Sequence, residues 1–514
     1  PKSEGNPPPC YIRRDMQQTL RLQGHVPRER ARSDPYLFLP FSVPAGARRI
    51  HVAYEYSEPV TAPMGLGPGN AVDIGIFDSR GRDFLDAPGF RGWSGAARSE
   101  FEITEDGATP GYIGGALFPG EWNIMLGLAR LNESGVRYDV RVTLDIDEKR
   151  VEVPRPEGPW HKMADLVQGP IVHHEGARAS GADAVAAKPG AGRWLKGDLH
   201  CHTLHSDGAN TVREIVENAV SLGLDFLAVT DHNTNTHHAE LEGFAGLPII
   251  LIPGEEVTTY WGHANTWGLR EWVDFRCADE ESIKAVQRWV RERRAMLSIN
   301  HAKCIGPPWL FRGWDYDCME VWQAPWRFYN WESLEKWDNQ LQQGRRVVAV
   351  GGSDVHSVPP AAPRHPHGLA EPTTWVYAEP SEAGILAAIR AGHAYISDAP
   401  RGAHLSLWAD EDGDGKYEKM MGDAVAPKAV RFRVDVTGGM DRRLWIMSDG
   451  APIDIISITR PETQVEFTLD MSGRKYVRAE LRGWRGNPSR GEVVWAMTNP
   501  VWTREEGSGK EDEA

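Results

Sequence analysis

Between residues 195 and 400 one arrangement recurs. A short apolar, strand-like run ends in a histidine, aspartate or glutamate, and a helix-like stretch usually follows. The first run leads into Asp198-Leu199-His200-Cys201-His202-Thr203-Leu204-His205-Ser206-Asp207-Gly208. Asp225–Thr230 delivers Asp231, His232 and Asn233; Pro248–Ile252 delivers Gly254, Glu255 and Glu256. Ala295–Ile299 delivers Asn300 and His301, and Arg346–Val350 delivers Gly351 to His356. Between these, Thr211-Val212-Arg213-Glu214 has capping-box spacing before a helix that stops at Gly223. Further helices are expected at Glu280–Arg293, Leu334–Gln343 and Ser381–Arg390. A barrel of βα units collects side chains from the C-terminal ends of several strands. A doubly wound sheet gathers its site at one crossover. Polar residues after at least four separate strands favour the barrel.

The residue types point to metal. His200 and His202 have period-2 spacing and face one side of a strand. Eleven of the 18 histidines lie between His200 and His367. Imidazoles mixed with carboxylates suit Zn, Mn or Fe better than Ca or Mg. The plainer reading, scattered surface histidines, does not explain their alignment with strand ends. Cys10, Cys201, Cys277, Cys304 and Cys318 lack CxxC spacing, which argues against a disulfide scaffold or a Cys-type zinc knuckle.

Length implies more than one domain, since 514 residues exceed one core. Residues 1–190 read as an N-terminal β-rich, sandwich-like domain with a linker: a short helix near Arg13–Gln23, then many short strands with Gly-rich turns. Trp93, Trp122 and Trp160 are expected to fill its core rather than a ligand face. His173 and His174 precede the small-residue linker of residues 175–194. Residues 195–400 are the barrel, and residues 401–514 a small C-terminal β-sandwich. In the latter, Val430-Phe432-Val434-Val436 alternates cleanly and Asp449-Gly450 marks a hairpin turn. Asp410-Glu411-Asp412-Gly413-Asp414-Gly415 lacks the full calcium-loop pattern and reads as a turn. The Pro-rich start at Asn6–Pro9 and the acidic tail at Glu511–Glu513 read as loose ends.

Taken in order, Asp198-Leu199-His200-Cys201-His202-Thr203, Ser206-Asp207-Gly208, Thr230-Asp231-His232-Asn233, Gly254-Glu255, Asn300-His301 and Gly352-Ser353-Asp354-Val355-His356 resemble the polymerase-and-histidinol-phosphatase (PHP) superfamily over residues 195–400. With Gly262-His263-Ala264-Asn265 and the flanking β-rich segments, the chain looks most like the carbaryl-hydrolase-like branch. The resemblance implies a multidomain α/β plus all-β protein with a central distorted (β/α)7 barrel. It also implies two or three divalent ions, Mn, Zn or Fe, in a multinuclear site. His200, His202, Glu255 and Asp354 would surround the first, Glu255, His263 and His301 the second, and Asp207, His232 and His356 the third.

The implied activity is phosphoester hydrolysis, of a phosphodiester or small phosphomonoester, by a metal-activated hydroxide. Carboxyl-ester or carbamate hydrolysis uses the same site. A non-catalytic carbohydrate- or surface-binding protein is the reading from another class. Candidate catalytic groups are His205 as proton shuttle, Asp231 behind the ligands, and His365 and His367 in the Pro359–His367 loop. Lys303, Arg312, Arg327 and Arg364 are candidate phosphate contacts. The aromatic run from Trp309 to Trp337, including Trp314, either walls the substrate or packs as core. A formal charge of -15 and the lack of a basic block argue against a nucleic-acid partner, leaving a small organic phosphoester or ester. No apolar run reaches membrane-spanning length. The chain begins at Pro1, as removal of a signal peptide would leave it. Secreted or periplasmic location follows in that case, and cytoplasmic location otherwise.

Overall fold

The computed structural model describes residues 15–60, 67–147, 192–305, 307–312, 315–485 and 491–505. Cys10, Trp160, His173, His174, Trp314, the Pro-rich start, the acidic tail and most of the linker lie outside the described residues. The chain divides into two compact bodies, residues 1–165 and 166–514.

The first body is antiparallel. Its strands are β1 (Asp15–Val26), β2 (Tyr36–Val43), β3 (Ala47–Tyr56), β4 (Ala71–Phe77), β5 (Phe90–Gly95), β6 (Glu100–Thr104), β7 (Gly120–Arg130) and β8 (Val136–Asp147). They form two four-stranded sheets, β1-β8-β3-β6 and β2-β7-β4-β5. Alternate residues such as Ile50, Val52, Ile74, Ile76, Val140 and Val142 share one apolar core. Trp93 and Trp122 are buried, as core residues. The helix expected near Arg13–Gln23 is instead β1 from Asp15 onward. All twelve of its residues pair with β8, from Asp15↔Asp147 to Val26↔Val136. Long-range ladder pairing outweighs a weak local helical pattern.

The second body begins with β9 (Arg193–Asp198), β10 (Phe226–Val229), β11 (Ile250–Thr259), β12 (Gly262–Trp267), β13 (Met296–Ile299), β14 (Cys318–Gln323) and β15 (Val348–Gly352). They lie side by side in that order. β9, β10 and β11 are parallel, as are β13, β14 and β15. β12 is antiparallel to both neighbours and forms a hairpin with β11, where a βα unit would have placed a helix. The run returns on itself at the end that carries the polar residues. Asp354 N–H donates to His200 O (2.8 Å), His202 N–H donates to Val355 O (3.0 Å), and Cys201 bridges Val355.

Strand parity sorts the side chains into two cores. Phe226 and Ala228 of β10 share a cluster with Ile252, Met296, Cys318 and Val350. Leu227, Val229 and Cys201 pack instead with Val212, Ile215 and Val216 of the helix Val212–Ser221. That helix starts with the expected capping box of Thr211 and Glu214.

On the other side of β9 lie β16 (Thr373–Ala378) and β17 (Ala394–Ser397). The boundary expected at residue 400 does not separate compact bodies. β17 pairs with Val493–Thr498, so the sheet runs on into Tyr476–Gly483, Arg443–Ser448 and Ala451–Ser457. The Asn499 side chain ties the tail down, binding Ala349 N and O (2.7 and 3.0 Å) and Ala394 O (2.9 Å). The alternation at Val430, Phe432, Val434 and Val436 is fully inward. Asp449 and Gly450 both have positive φ, as a tight hairpin turn requires. Among the described residues no helix is long and apolar enough to cross a membrane.

Candidate metal centre

The polar residues after β9, β10, β13 and β15 and those on the β11–β12 hairpin meet in one cluster. Asp198 shapes its floor. Its Oδ1 accepts from His200 N (3.1 Å) and Ser353 N (3.0 Å), and its Oδ2 accepts from Ala370 N (2.6 Å). That one buried carboxylate pins the turns carrying His200 and Asp354. Gly352 leaves the space they need: a Cβ there would lie 2.5 Å from His200 Cβ and 2.6 Å from Glu320 Oε1.

Three overlapping sets of side chains could each hold an ion. His200, His202 and Asp354 form one, His202, Asp207, His232 and His356 another, and His232, Glu256 and His263 the third. His301 Nε2 adds to the last, 3.3 Å from Glu256 Oε1. The sequence-based partition changes in two ways: His202 and His232 are each shared between sets, and Glu256 replaces Glu255.

The exchange of glutamates is a correction with a plain cause. Neighbours on a strand face opposite sides. Counting in twos from Ile252 reaches Glu256, and counting from Ala228 reaches His232; Glu256 and His232 are register partners. Glu256 Oε1 lies 3.4 Å from His200 Nε2 and 3.2 Å from His263 Nδ1, and accepts from Asn300 Nδ2 (2.7 Å). Glu255 points the other way, where its Oε2 accepts from Val273 N (3.0 Å). Burial pushes the Glu255 carboxyl well above its ordinary value. Burial also acts on Glu256, but His232, His200 and His263 outweigh it and hold that carboxyl well below the usual range.

The donor set fits divalent cations. His200 Nε2 and His202 Nε2 stand 3.2 Å apart, with Asp354 Oδ1 at 3.3 and 2.9 Å. Asp207 Oδ1 and Glu256 Oε2 are buried and face imidazole nitrogens, with Glu256 Oε2 2.7 Å from His232 Nδ1. Buried carboxylate oxygens turned toward imidazoles need a positive partner, either the protonated rings or an ion that replaces their protons. Asp207 exposes part of its side chain, but its Oδ1 turns inward, 3.3 Å from His356 Nε2 and 3.7 Å from His232 Nε2. Burial pushes the His202 imidazole down to about 4, with His356 and His232 adding to the effect, so it is a neutral donor at pH 7.

Two residues without a place in the expected ligand set orient the others. Glu320 of β14 accepts from His200 Nδ1 (2.8 Å) through Oε1 and from His301 N (2.9 Å) through Oε2. This leaves Nε2 of His200 to face the centre. Gln323 donates from Nε2 to Asp354 Oδ2 (2.8 Å). The sequence signal for Glu320 was its position on a strand between two ligand-bearing strands.

Other candidates lie elsewhere. Asp231 accepts from Thr203 N (2.7 Å), Thr203 Oγ1 (2.6 Å) and Ser206 Oγ (2.6 Å), holding the turn after His202. His205 is bonded to Thr236 Oγ1 and Glu240 Oε1, both at 2.8 Å, on that same outer side. Strand parity again explains this, since Asp231 follows Leu227 and Val229 rather than Ala228. Lys303 is fully buried, and its Nζ donates to Gln323 O (2.9 Å) and Asn330 Oδ1 (2.8 Å) rather than facing a substrate. Arg312 and Arg327 are exposed; Arg312 bonds Glu280 through its backbone, and Arg327 lies over Phe328. Arg364 alone of the four basic candidates meets the centre, donating to Asp207 O. The His365 ring centroid is 5.2 Å from that of His356, and His367 bonds Ser353 O (2.8 Å). In the aromatic run Trp322, Trp326 and Trp337 are core, whereas Trp331 is exposed. Trp309 lies against Gly262, beside His263.

A strand-end cluster of imidazoles and carboxylates, collected from the parallel strands and one hairpin of a mixed sheet, marks a metal-binding α/β body. Residues 198–274 match the family model for the PHP domain. Among curated proteins, the chain is 43% identical over 67 residues to the 5'-3' exoribonuclease Rnm of Escherichia coli (strain K12), covering 12% of this chain and 23% of that protein. It is 46% identical over 39 residues to the DNA polymerase/3'-5' exonuclease PolX of Bacillus subtilis (strain 168), covering 8% of this chain and 7% of that protein. The chain thus spans about a quarter or less of the length of these relatives. Among solved structures, one is described as a two-domain protein containing a predicted PHP-like metal-dependent phosphoesterase from Bacteroides vulgatus ATCC 8482. It is 18% identical with a TM-score of 0.35, covering 63% of this chain and all of that one.

Proposed function

We propose that the second body is a metal-dependent phosphoesterase, cleaving phosphodiesters or small phosphomonoesters with two or three divalent ions. His200, His202, Asp207, His232, Glu256, His263, His301, Asp354 and His356 would hold them. The observation that carries this reading is the overlap of the ligand sets at His202 and His232, which puts the candidate ion positions side by side, each ring nitrogen serving one ion. Such ions supply Lewis-acid polarisation and a nucleophile at neutral pH. The chain's own groups bind and orient. Arg364, fixed against Asp207 O, offers its exposed guanidinium to a phosphoryl oxygen at the Asp207–His356 corner. His365, held below its ordinary value by burial and then by His356 and His367, is neutral at pH 7 and suits a proton acceptor beside that corner. His367 holds the loop through Ser353 O.

The curated relatives are named as exonucleases, which makes a nucleotide or a short oligonucleotide end a form of phosphodiester worth testing. The charge of -15 opposes a long polyanion. A carboxyl-ester or carbamate substrate is the second reading. It is favoured by the small number of cations at the centre, since Lys303, Arg312 and Arg327 serve elsewhere.

The test is metal analysis of the purified chain, then a panel of aryl phosphomonoester, phosphodiester, short oligonucleotide, carboxyl ester and carbamate. His200→Ala is the control. Phosphoester turnover that needs metal and His200 is expected, with Arg364→Ala raising KM more than it lowers kcat. Turnover of the neutral esters alone would transfer the assignment to the second reading.

A further inference from the structure

β14 contributes no residue to the three ligand sets, yet two of its side chains reach into the centre. Glu320 and Gln323 are three positions apart, and on a regular strand they would face opposite sides. The pairing with β15 resolves this. Glu320 partners Val350 and Gln323 partners Gly352, with a register shift between Glu320 and Trp322. One extra residue on β14 restores parity, so both side chains point the same way. The bulge leaves Trp322 facing Trp326, at a ring distance of 4.9 Å.

We propose that this bulged strand is the positioning element of the centre, in which Gln323 occupies Asp354 Oδ2 so that Asp354 presents Oδ1 alone to an ion. The inference rests on the metal-centre reading above. Asp354 Oδ1 lies 2.9 Å from His202 Nε2 and 3.3 Å from His200 Nε2, while its Oδ2 accepts the Gln323 amide at 2.8 Å. A carboxylate with one oxygen engaged by a fixed donor ligates through the other, which keeps a coordination position open for water or substrate.

The backbone behind Gln323 is fixed by a dedicated clamp. Asn330 Oδ1 accepts from Gln323 N (3.0 Å), and Asn330 Nδ2 donates to Gln323 O (2.9 Å) and Pro325 O (3.1 Å). The Lys303 ammonium closes the clamp, donating to both Gln323 O and Asn330 Oδ1. A buried ammonium held there by neutral acceptors is costly. Here it stiffens the segment that aims the amide. Gln323 and Lys303 are therefore positioning residues that act through Asp354.

The experiment uses the full chain, stripped by chelator and reloaded with cobalt(II). Gln323→Met removes the donor at similar volume, and Gln323→Asn keeps the amide one methylene too short. In both, release of Asp354 Oδ2 is expected to raise the coordination number, weakening the visible cobalt absorption. Cobalt affinity or release rate should change by on the order of tenfold to a hundredfold. Lys303→Met should shift the spectrum in the same direction, and thermal melts verify folding. Wild-type spectra and release rates in the two Gln323 variants would overturn the inference alone. A wild-type chain that takes up no cobalt would overturn both it and the metal-centre reading.

Discussion

Glu255 and Glu256 are consecutive on one strand and live in opposite chemical worlds. Glu256 sits among His200, His232 and His263, which hold its carboxyl well below the usual range, whereas Glu255 is buried on the other face beside Val273, where burial pushes its carboxyl well above it. Glu256→Gln should abolish binding of at least one ion and nearly all turnover. Glu255→Gln keeps the hydrogen bond to Val273 N and should retain full metal content. Metal content per chain by elemental analysis checks this, and loss of metal in Glu255→Gln with retention in Glu256→Gln would reverse the assignment.

Metal uptake should release protons. Burial works to lower His232 and His356, but Glu256 and Asp207 outweigh it at His232 and bring it up to about 9. Asp207 and Asp354 do the same at His356, also to about 9. Without ions, both rings are therefore charged at pH 7, and each must lose its proton to become a ligand. Affinity should rise with pH from 7 to 9 and flatten above. Calorimetry in buffers of different ionisation enthalpy measures the protons released, and a buffer-independent heat at pH 7 would contradict the expectation.

Gly352 gives a test of space rather than charge. Its replacement by Ala would drive a methyl into His200 Cβ and the Glu320 carboxylate. Gly352→Ala should weaken metal binding by about tenfold to a hundredfold. The stability of the metal-stripped chain should fall by about 1–3 kcal/mol. Competition with a chromogenic chelator and denaturant titration separate the two effects.

The tail carries a buried ionic knot whose rupture is measurable. Arg478 reaches from the strand Tyr476–Gly483 to Asp338 on the helix Asn330–Gln342, with Nη2–Oδ1 at 2.6 Å, and also bonds Glu480. All three are buried. Arg478→Met leaves buried Asp338 without its cation, with only the Tyr476 and Gln342 hydrogen bonds, while Glu480 keeps Arg482, so a loss of about 3–5 kcal/mol is expected in urea unfolding. Because helix and strand lie in one compact body, the transition should stay single for residues 166–514.

Much of the centre can be read from spacing, because ligands at strand ends follow short apolar runs. His200, His202, His232, His301, Asp354 and His356 are legible in that way, as is the Asp449-Gly450 turn. Glu255 misled because a Gly-Glu motif was given precedence over strand parity, and Ile252-Gly254-Glu256 was there to be counted. Gln323 was hidden for a different reason: a β-bulge after Glu320 changes parity, and nothing local in Cys318–Gln323 announces one, whereas Glu320 keeps the parity of Cys318. Lys303 lies two residues beyond His301, a position that suggested phosphate contact, but the side chain folds back to Asn330, 27 residues later. Long-range pairing also overrode the helical pattern of Arg13–Gln23.

β17 has a ladder partner on each side, and one of them, Val493–Thr498, comes from near the end of the chain. A protein shortened at residue 400 would leave that flank of backbone N–H and C=O groups bare, an adhesive template for other chains. It would also uncover Tyr395, now buried in the core shared with the tail. The last hundred residues are therefore not an exchangeable module, and shortened versions should be recovered mainly as insoluble material.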